Sequence, residues 1–185
     1  MEKLFTLLLI TLSFSVLAQT ENSNMITFSL GGDIRNCTVG SAPTNNEPKA
    51  DLLFKLTIRN NGFMEYGLGA EVFPSIDYNK VFVSAGARLD LFNDLSLIGT
   101  LEPSVISRTE DWGGGISEDK NRTYVTGASS LILRYKPLNN IFFEVQGNIT
   151  YREDLVARYD ESNPFKPSVF FSIGIDLSEK IRRWY

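Results

Sequence analysis

The side chains best equipped for chemistry in this 185-residue chain are carboxylates and cations set at alternating positions of β-patterned segments. The acids are Asp33, Asp51, Glu65, Glu71, Asp90, Glu102, Glu144 and Asp176; the bases are Arg35, Lys55, Arg59, Arg88, Arg134 and Arg152. Two carboxylates on one face can work as acid and base, and Glu65 and Glu71 share a face. Six residues of strand separate them by roughly 20 Å, too far to act on one bond. Neighbouring strands can still bring other acids together. Mixed signs on one face, however, read first as structural pairing, because an enclosed charge needs a partner. Five of the six bases are Arg, whose planar fork suits bidentate pairing with carboxylates.

Other chemistry is scarce. The chain has no His, which removes the commonest general base, the commonest metal ligand and any Ser–His–Asp arrangement. The one cysteine, Cys37, cannot form an internal disulfide and reads as incidental. The stretch "RTEDWGGGISEDKNR" (108–122) gathers Glu110, Asp111, Trp112, Glu118 and Asp119. Its oxygens suit Ca²⁺, but the spacing matches no calcium loop, and a solvated acidic loop is the better reading. The sequons "NCT", "NRT" and "NIT" carry little meaning by themselves, and Asn148 of the last lies mid-strand. No phosphate loop and no Cys/His metal spacing occurs. No catalytic, cofactor-binding or metal-ligating residue is therefore assigned, and no cofactor is expected.

The elements that must hold these charges have period 2. In "GFMEYGLGAEVF" (62–73), Met64, Tyr66, Leu68, Ala70 and Val72 alternate with Glu65, Gly67, Gly69 and Glu71. Segments 26–35, 51–59, 81–91, 141–151 and 168–177 alternate in the same way. Segments 95–107 and 123–135 do so more weakly. Pro103 should weaken a central strand, mark a bulge or mark where the strand leaves a membrane, and Thr123, Gly127 and Ser129 share the apolar parity of 123–135. The total is eight strands of about 9–13 residues, where a tilted membrane strand needs about 9–11. No helical apolar stripe is visible before the last few residues.

Connections alternate as well. Tight Asn/Asp/Gly/Pro turns at "NNG", "FND" and "KPLNN" alternate with longer connections at 36–50, 74–80 ("PSIDYNK"), 108–122 and 152–167. Short turns on one side and long loops on the other mark an up-and-down membrane barrel.

Residues 1–18 read as a cleaved signal peptide: Lys3, an apolar run from Leu4 to Leu17, then Val16 and Ala18 before Gln19. Residues 19–185 form one barrel domain, with strands over about 25–178 and a short C-terminal tail. No other apolar run approaches the length of a helical span. The net charge of −4 gives no argument for nucleic acid.

Two barrels fit this pattern, with opposite facing. A soluble barrel hides the apolar parity and puts Gly67, Gly69, Gly86 and Gly174 on its wet exterior, where glycine only weakens a strand. A membrane barrel shows the apolar parity to lipid and uses small residues to fill a narrow lumen. Tyr66, Tyr135, Phe143 and Tyr151 lie near strand ends on the apolar parity, as aromatic girdles do.

On these patterns the chain resembles the small eight-stranded outer-membrane β-barrels of the OmpA/OmpX type, in the style common in Bacteroidota, over roughly residues 24–178. The resemblance implies an all-β, antiparallel, up-and-down transmembrane barrel with a porin-like fold in the cell envelope of a Gram-negative bacterium. It implies contact with outer-membrane lipid and lipopolysaccharide, with the assembly machinery, and a monomeric state. Such barrels often end in an aromatic residue that the machinery reads. Tyr185 fits, whereas Glu179 and Arg183 fall on the parity that the signal would need apolar. Barrels of this size that are lipid-modifying enzymes or proteases typically use His, so a non-enzymatic structural or interaction role through the long extracellular loops is expected. The alternatives are a soluble exported lipocalin-like barrel for a small apolar ligand, a narrow channel, or a component of a secretion or envelope-assembly apparatus.

Overall fold

The computed structural model describes residues 25–40, 47–59, 63–108, 122–159 and 163–177. The expected signal peptide, the acidic residues Glu110 to Asp119 and the C-terminal tail lie outside them. Eight antiparallel strands, each paired to the next and the last to the first, form a closed barrel. They are β1 (Met25–Asp33), β2 (Leu52–Arg59), β3 (Met64–Phe73), β4 (Tyr78–Phe92), β5 (Leu95–Arg108), β6 (Arg122–Leu138), β7 (Ile141–Tyr151) and β8 (Phe165–Asp176). Two short helices interrupt the connections, α1 (Ile34–Thr38) and α2 (Glu153–Tyr159), with a 3₁₀ turn at Pro74–Ile76. At five and seven residues the helices are too short to show a stripe in the sequence.

Period 2 becomes in and out. Thr27, Ser29, Lys55, Thr57, Glu65, Glu71, Glu102, Arg134, Glu144, Gln146, Asn148 and Ser172 are buried, while Leu68, Val81, Leu101, Leu131, Leu133, Ile149, Phe171 and Ile173 are exposed. The apolar parity is the outside. Apolar side chains also enter the lumen: Leu53, Phe82 and Phe170 form one buried cluster, and Phe73, Ile76, Tyr78 and Ile106 another. Glycine makes the room. A Cβ on Gly69 would stand 2.1 Å from Phe82 Cζ, and one on Gly174 would stand 2.1 Å from Phe142 Cζ. Each ring lies over the glycine directly paired with it on the neighbouring strand, which supplies no side chain there.

The β4–β5 and β6–β7 turns are two residues long, Asn93–Asp94 and Asn139–Asn140. Neighbouring connections are stitched together at this rim. Arg88 N donates to Phe63 O (2.7 Å), Lys136 N to Asp94 O (2.7 Å) and Asp176 N to Asn140 O (2.9 Å). Such closure leaves no free sheet edge for lipid to penalise. At the opposite, loop rim, Asp77 takes φ 48°, a left-handed conformation that Asp tolerates, and ends the 3₁₀ turn.

Three expectations need correction. Arg35 does not face the lumen; β1 ends at Asp33, which caps α1 by accepting from Asn36 N, and Arg35 is exposed on that helix. The connection expected over 74–80 shrinks to 74–77, because β4 starts at Tyr78. Pro103 marks no bulge, and it interrupts one ladder, as a proline in a central strand should. The β4–β5 ladder runs to Phe82–Ser104 and resumes at Ala85–Leu101 in the same register, while Pro103 stays paired with Gly127 on β6. A proline lacks the donor for one ladder only, and its ring points outward.

Aromatic residues cluster at both rims on β6, β7 and β8. At the turn rim, Tyr135 is paired with Phe143, whose ring stacks on Phe171 at 6.2 Å. At the loop rim, Tyr151 and Phe165 are paired and meet edge to face at 5.5 Å.

Candidate functional site: the charged lumen

β2, β3, β6 and β7 carry one charged layer of the lumen. Arg134 on β6 donates from Nη1 to Glu65 Oε2 (2.9 Å), from Nη2 to Glu65 Oε1 (2.7 Å) and from Nε to Glu144 Oε1 (2.7 Å). Its guanidinium lies 4.8 Å from the Phe142 ring centre. Glu144 Oε2 accepts from Lys55 Nζ at 2.7 Å, and the same ammonium reaches Gln146 Oε1 at 2.6 Å. Four strands are thus cross-linked through one layer of charge. Every member is nearly fully buried, so a lone charge here would be costly and a paired one is tolerated.

Towards the loop rim, Lys80 Nζ lies 3.4 Å from Glu71 Oε2 and 3.8 Å from Glu102 Oε2. Glu102 Oε1 accepts from Thr100 Oγ1 (3.1 Å), Ser130 Oγ (2.5 Å) and Gln146 Nε2 (3.3 Å). At the loop rim itself, Arg152 grips Asp154 with Nε and Nη2, both at 2.7 Å, and Arg108 Nη1 adds a third bond at 2.9 Å. This triad ties the first turn of α2 to the end of β5. Burial works against ionisation of Asp154, but the hydrogen bonds and charge of Arg152, then of Arg108, outweigh it and hold the carboxyl below its usual range. At the turn rim, Lys136 pairs with Asp176 (2.9 Å) and Arg88 with Asp90 (2.5 Å).

Glu65 and Glu71 are not brought together. Each has its own cation, Arg134 and Lys80, so neither is poised as a partner of the other. Cys37 is exposed on α1. Among the described residues, no group of three or more His, Cys, Asp or Glu side chains has metal-binding geometry. Asn148, the residue of the "NIT" sequon, is buried in the lumen and accepts from Gln146 Nε2 at 2.8 Å.

The structure adds four charged partners to the expected set: Lys80, Arg108, Lys136 and Asp154. The first three stood in segments read as turns or loops. Their parity was visible all the same. Lys80 continues Phe82 and Ser84, Arg108 continues Glu102, and Lys136 continues Arg134. Asp154 had no such signal, since it sits on a helix of one connection and is buried only by tertiary packing.

Solved structures with this architecture decide what the barrel is similar to. The N-terminal β-barrel domain of Pseudomonas aeruginosa OprF matches with a TM-score of 0.61 at 9% identity, covering 84% of this chain and 99% of that one. Neisserial surface protein A (NspA) matches with a TM-score of 0.56 at 15% identity, covering 86% and 99%. The Yersinia pestis outer membrane protein Ail, in a phospholipid bilayer nanodisc, matches with a TM-score of 0.52 at 14% identity, covering 83% and 99%. The fold is that of the small eight-stranded outer-membrane β-barrels. No family model matches the chain, and no curated protein matches its sequence. At such identities the shared property is the outer-membrane-barrel fold alone.

Proposed function

We propose that the chain is exported by residues 1–18 and resides in the outer membrane as a monomeric, non-enzymatic barrel. Its long connections face outward, where they meet lipopolysaccharide or a partner. The observation that carries this reading is the facing of the strands. Apolar side chains cover the outside, and the lumen is occupied by reciprocal ion pairs and by the Phe82, Phe142 and Phe170 rings. A soluble barrel would present the opposite pattern. A channel is disfavoured because charged and aromatic side chains occupy the lumen of a narrow eight-stranded barrel. Enzymatic action is disfavoured because Glu65 and Glu144 are both already bound by cations, Arg134 alone for the first and Arg134 with Lys55 for the second.

Membrane fractionation tests the location. The protein should partition with the outer membrane and migrate differently on gels before and after boiling; a fully soluble periplasmic product would contradict the reading. Planar-bilayer recording tests the bore, and no ion conductance is expected from the intact protein.

A further inference from the structure

Asp51 stands apart from the other enclosed carboxylates. It precedes β2 at the loop rim, is 3% exposed, and forms no ion pair with a described residue. Its Oδ2 accepts from Asn36 Nδ2 at 2.6 Å, while its Oδ1 receives no hydrogen bond from any described residue. Other acids surround it. Asp33, at the end of β1, uses Oδ1 to cap Asn36 N (2.7 Å) and Oδ2 to accept from Val169 N of β8 (3.2 Å). Glu71 on β3 faces the same space. The cations nearby are already engaged: Lys80 of β4 with Glu71, and Arg152 with Asp154 of α2. On the connection itself Lys49 pairs with Glu47 at 3.1 Å, and Arg35 of α1 is exposed.

The same residues fasten α1 to the barrel. Asp33 N donates to Asp51 O (3.0 Å), Lys49 N to Asn36 O (2.8 Å), and Cys37 Sγ lies 3.7 Å from Asp51 O. The strap formed by α1 and residues 47–51 is therefore pinned where an unneutralised carboxylate would be buried beside two others.

We propose that Asp51 is a proton-operated latch at the loop rim: protonated, it keeps the α1 strap on the barrel, and ionised, it favours release of the strap into solvent. The inference rests on the fold alone and does not require the outer-membrane reading. Burial, then the charge of Glu71, with a smaller contribution from Asp33, pushes the Asp51 carboxyl up to about 7, against the lowering effects of Asn36 and Arg152. A pKa raised in the closed state makes the closed state bind the extra proton. The strap is thus most secure below the ordinary aspartate range, loses stability as pH rises from about 4, and reaches its loosest state above about 7.

A spin label on Val39→Cys, an exposed position at the end of α1, in a Cys37→Ser background reads the latch in refolded full-length protein. The ratio of mobile to immobile label should rise by about tenfold or more between pH 5 and pH 9. Asp51→Asn, which mimics the protonated acid, should abolish that response and keep the label immobile. A flat profile in the background protein, or an unchanged response in Asp51→Asn, would overturn the proposal. Carboxyl ¹³C titration of the background protein gives a second reading that needs no Asn variant. An aspartate midpoint above about 5.5 supports the latch, and midpoints that all fall below it overturn it.

Discussion

Arg134 clamps Glu65 with both terminal nitrogens and turns its Nε to Glu144, joining β6 to β3 across the lumen and to β7 beside it. Removing the guanidinium would leave two carboxylates enclosed, with only Lys55 still in reach of Glu144. Arg134→Met should therefore cost about 3–5 kcal/mol in urea unfolding from lipid vesicles. Arg134→Lys should recover only part of this, since an ammonium cannot make the fork. A loss under about 0.5 kcal/mol for Arg134→Met would mean that the clamp contributes little.

A second prediction concerns the glycines that face rings. Gly174→Ala drives a methyl group into Phe142 and should cost about 1–3 kcal/mol. Gly99→Ala and Gly147→Ala point outward, where nothing lies within 4 Å, and should be neutral or stabilising by about 0.5–1 kcal/mol. Phe142→Leu should relieve the Gly174→Ala defect, and a double-mutant cycle measures the coupling. Additive effects would show that the ring and the glycine do not constrain each other.

The Asp154 triad predicts acid sensitivity at the loop rim. Its carboxyl is held below its usual value, so its contribution is complete above the ordinary aspartate pKa and is lost as pH falls through the depressed value. Amide exchange at Leu155, whose N–H donates to Arg152 O, should accelerate at low pH relative to barrel amides. Asp154→Asn should show that loosening already at neutral pH. Equal protection of Leu155 in both proteins at pH 7 would contradict the role given to the triad. This response runs opposite to that of Asp51, which tightens on protonation.

The alternation of Met64, Tyr66, Leu68, Ala70 and Val72 with Glu65, Gly67, Gly69 and Glu71 made the barrel and its facing legible from the sequence, because a strand has one period and a closed sheet has two solvents. The partners within the lumen were not legible. Arg134 meets Glu65 from 69 positions away, and only the closure and stagger of the strands determine which inward charges share a layer. Strand ends failed for a related reason. Lys80 and Lys136 adjoin Asn, Asp and Pro residues that signal turns, yet ladder pairing carries both strands past them. The inward Leu53, Phe82, Phe142 and Phe170 were hidden because each sits on the polar parity, where small opposing residues such as Gly69 and Gly174 admit a ring.

The facing of β3 is the centre of the account. Leu68 is 41% exposed on the outer surface, paired with Val83, while Gly67 faces inward opposite Ser84. Leu68→Arg should lower folding yield in vesicles, at a cost of about 2–4 kcal/mol near mid-bilayer. The most direct measurement is paired thiol labelling in lipid, with Cys37→Ser in both proteins. Leu68→Cys should react with a membrane-confined probe and resist a water-soluble maleimide, and Ser84→Cys should never meet the membrane-confined probe. A Leu68 thiol blind to the lipid probe, or a Ser84 thiol labelled by it, would mean that the barrel does not sit in a bilayer with its apolar face outward.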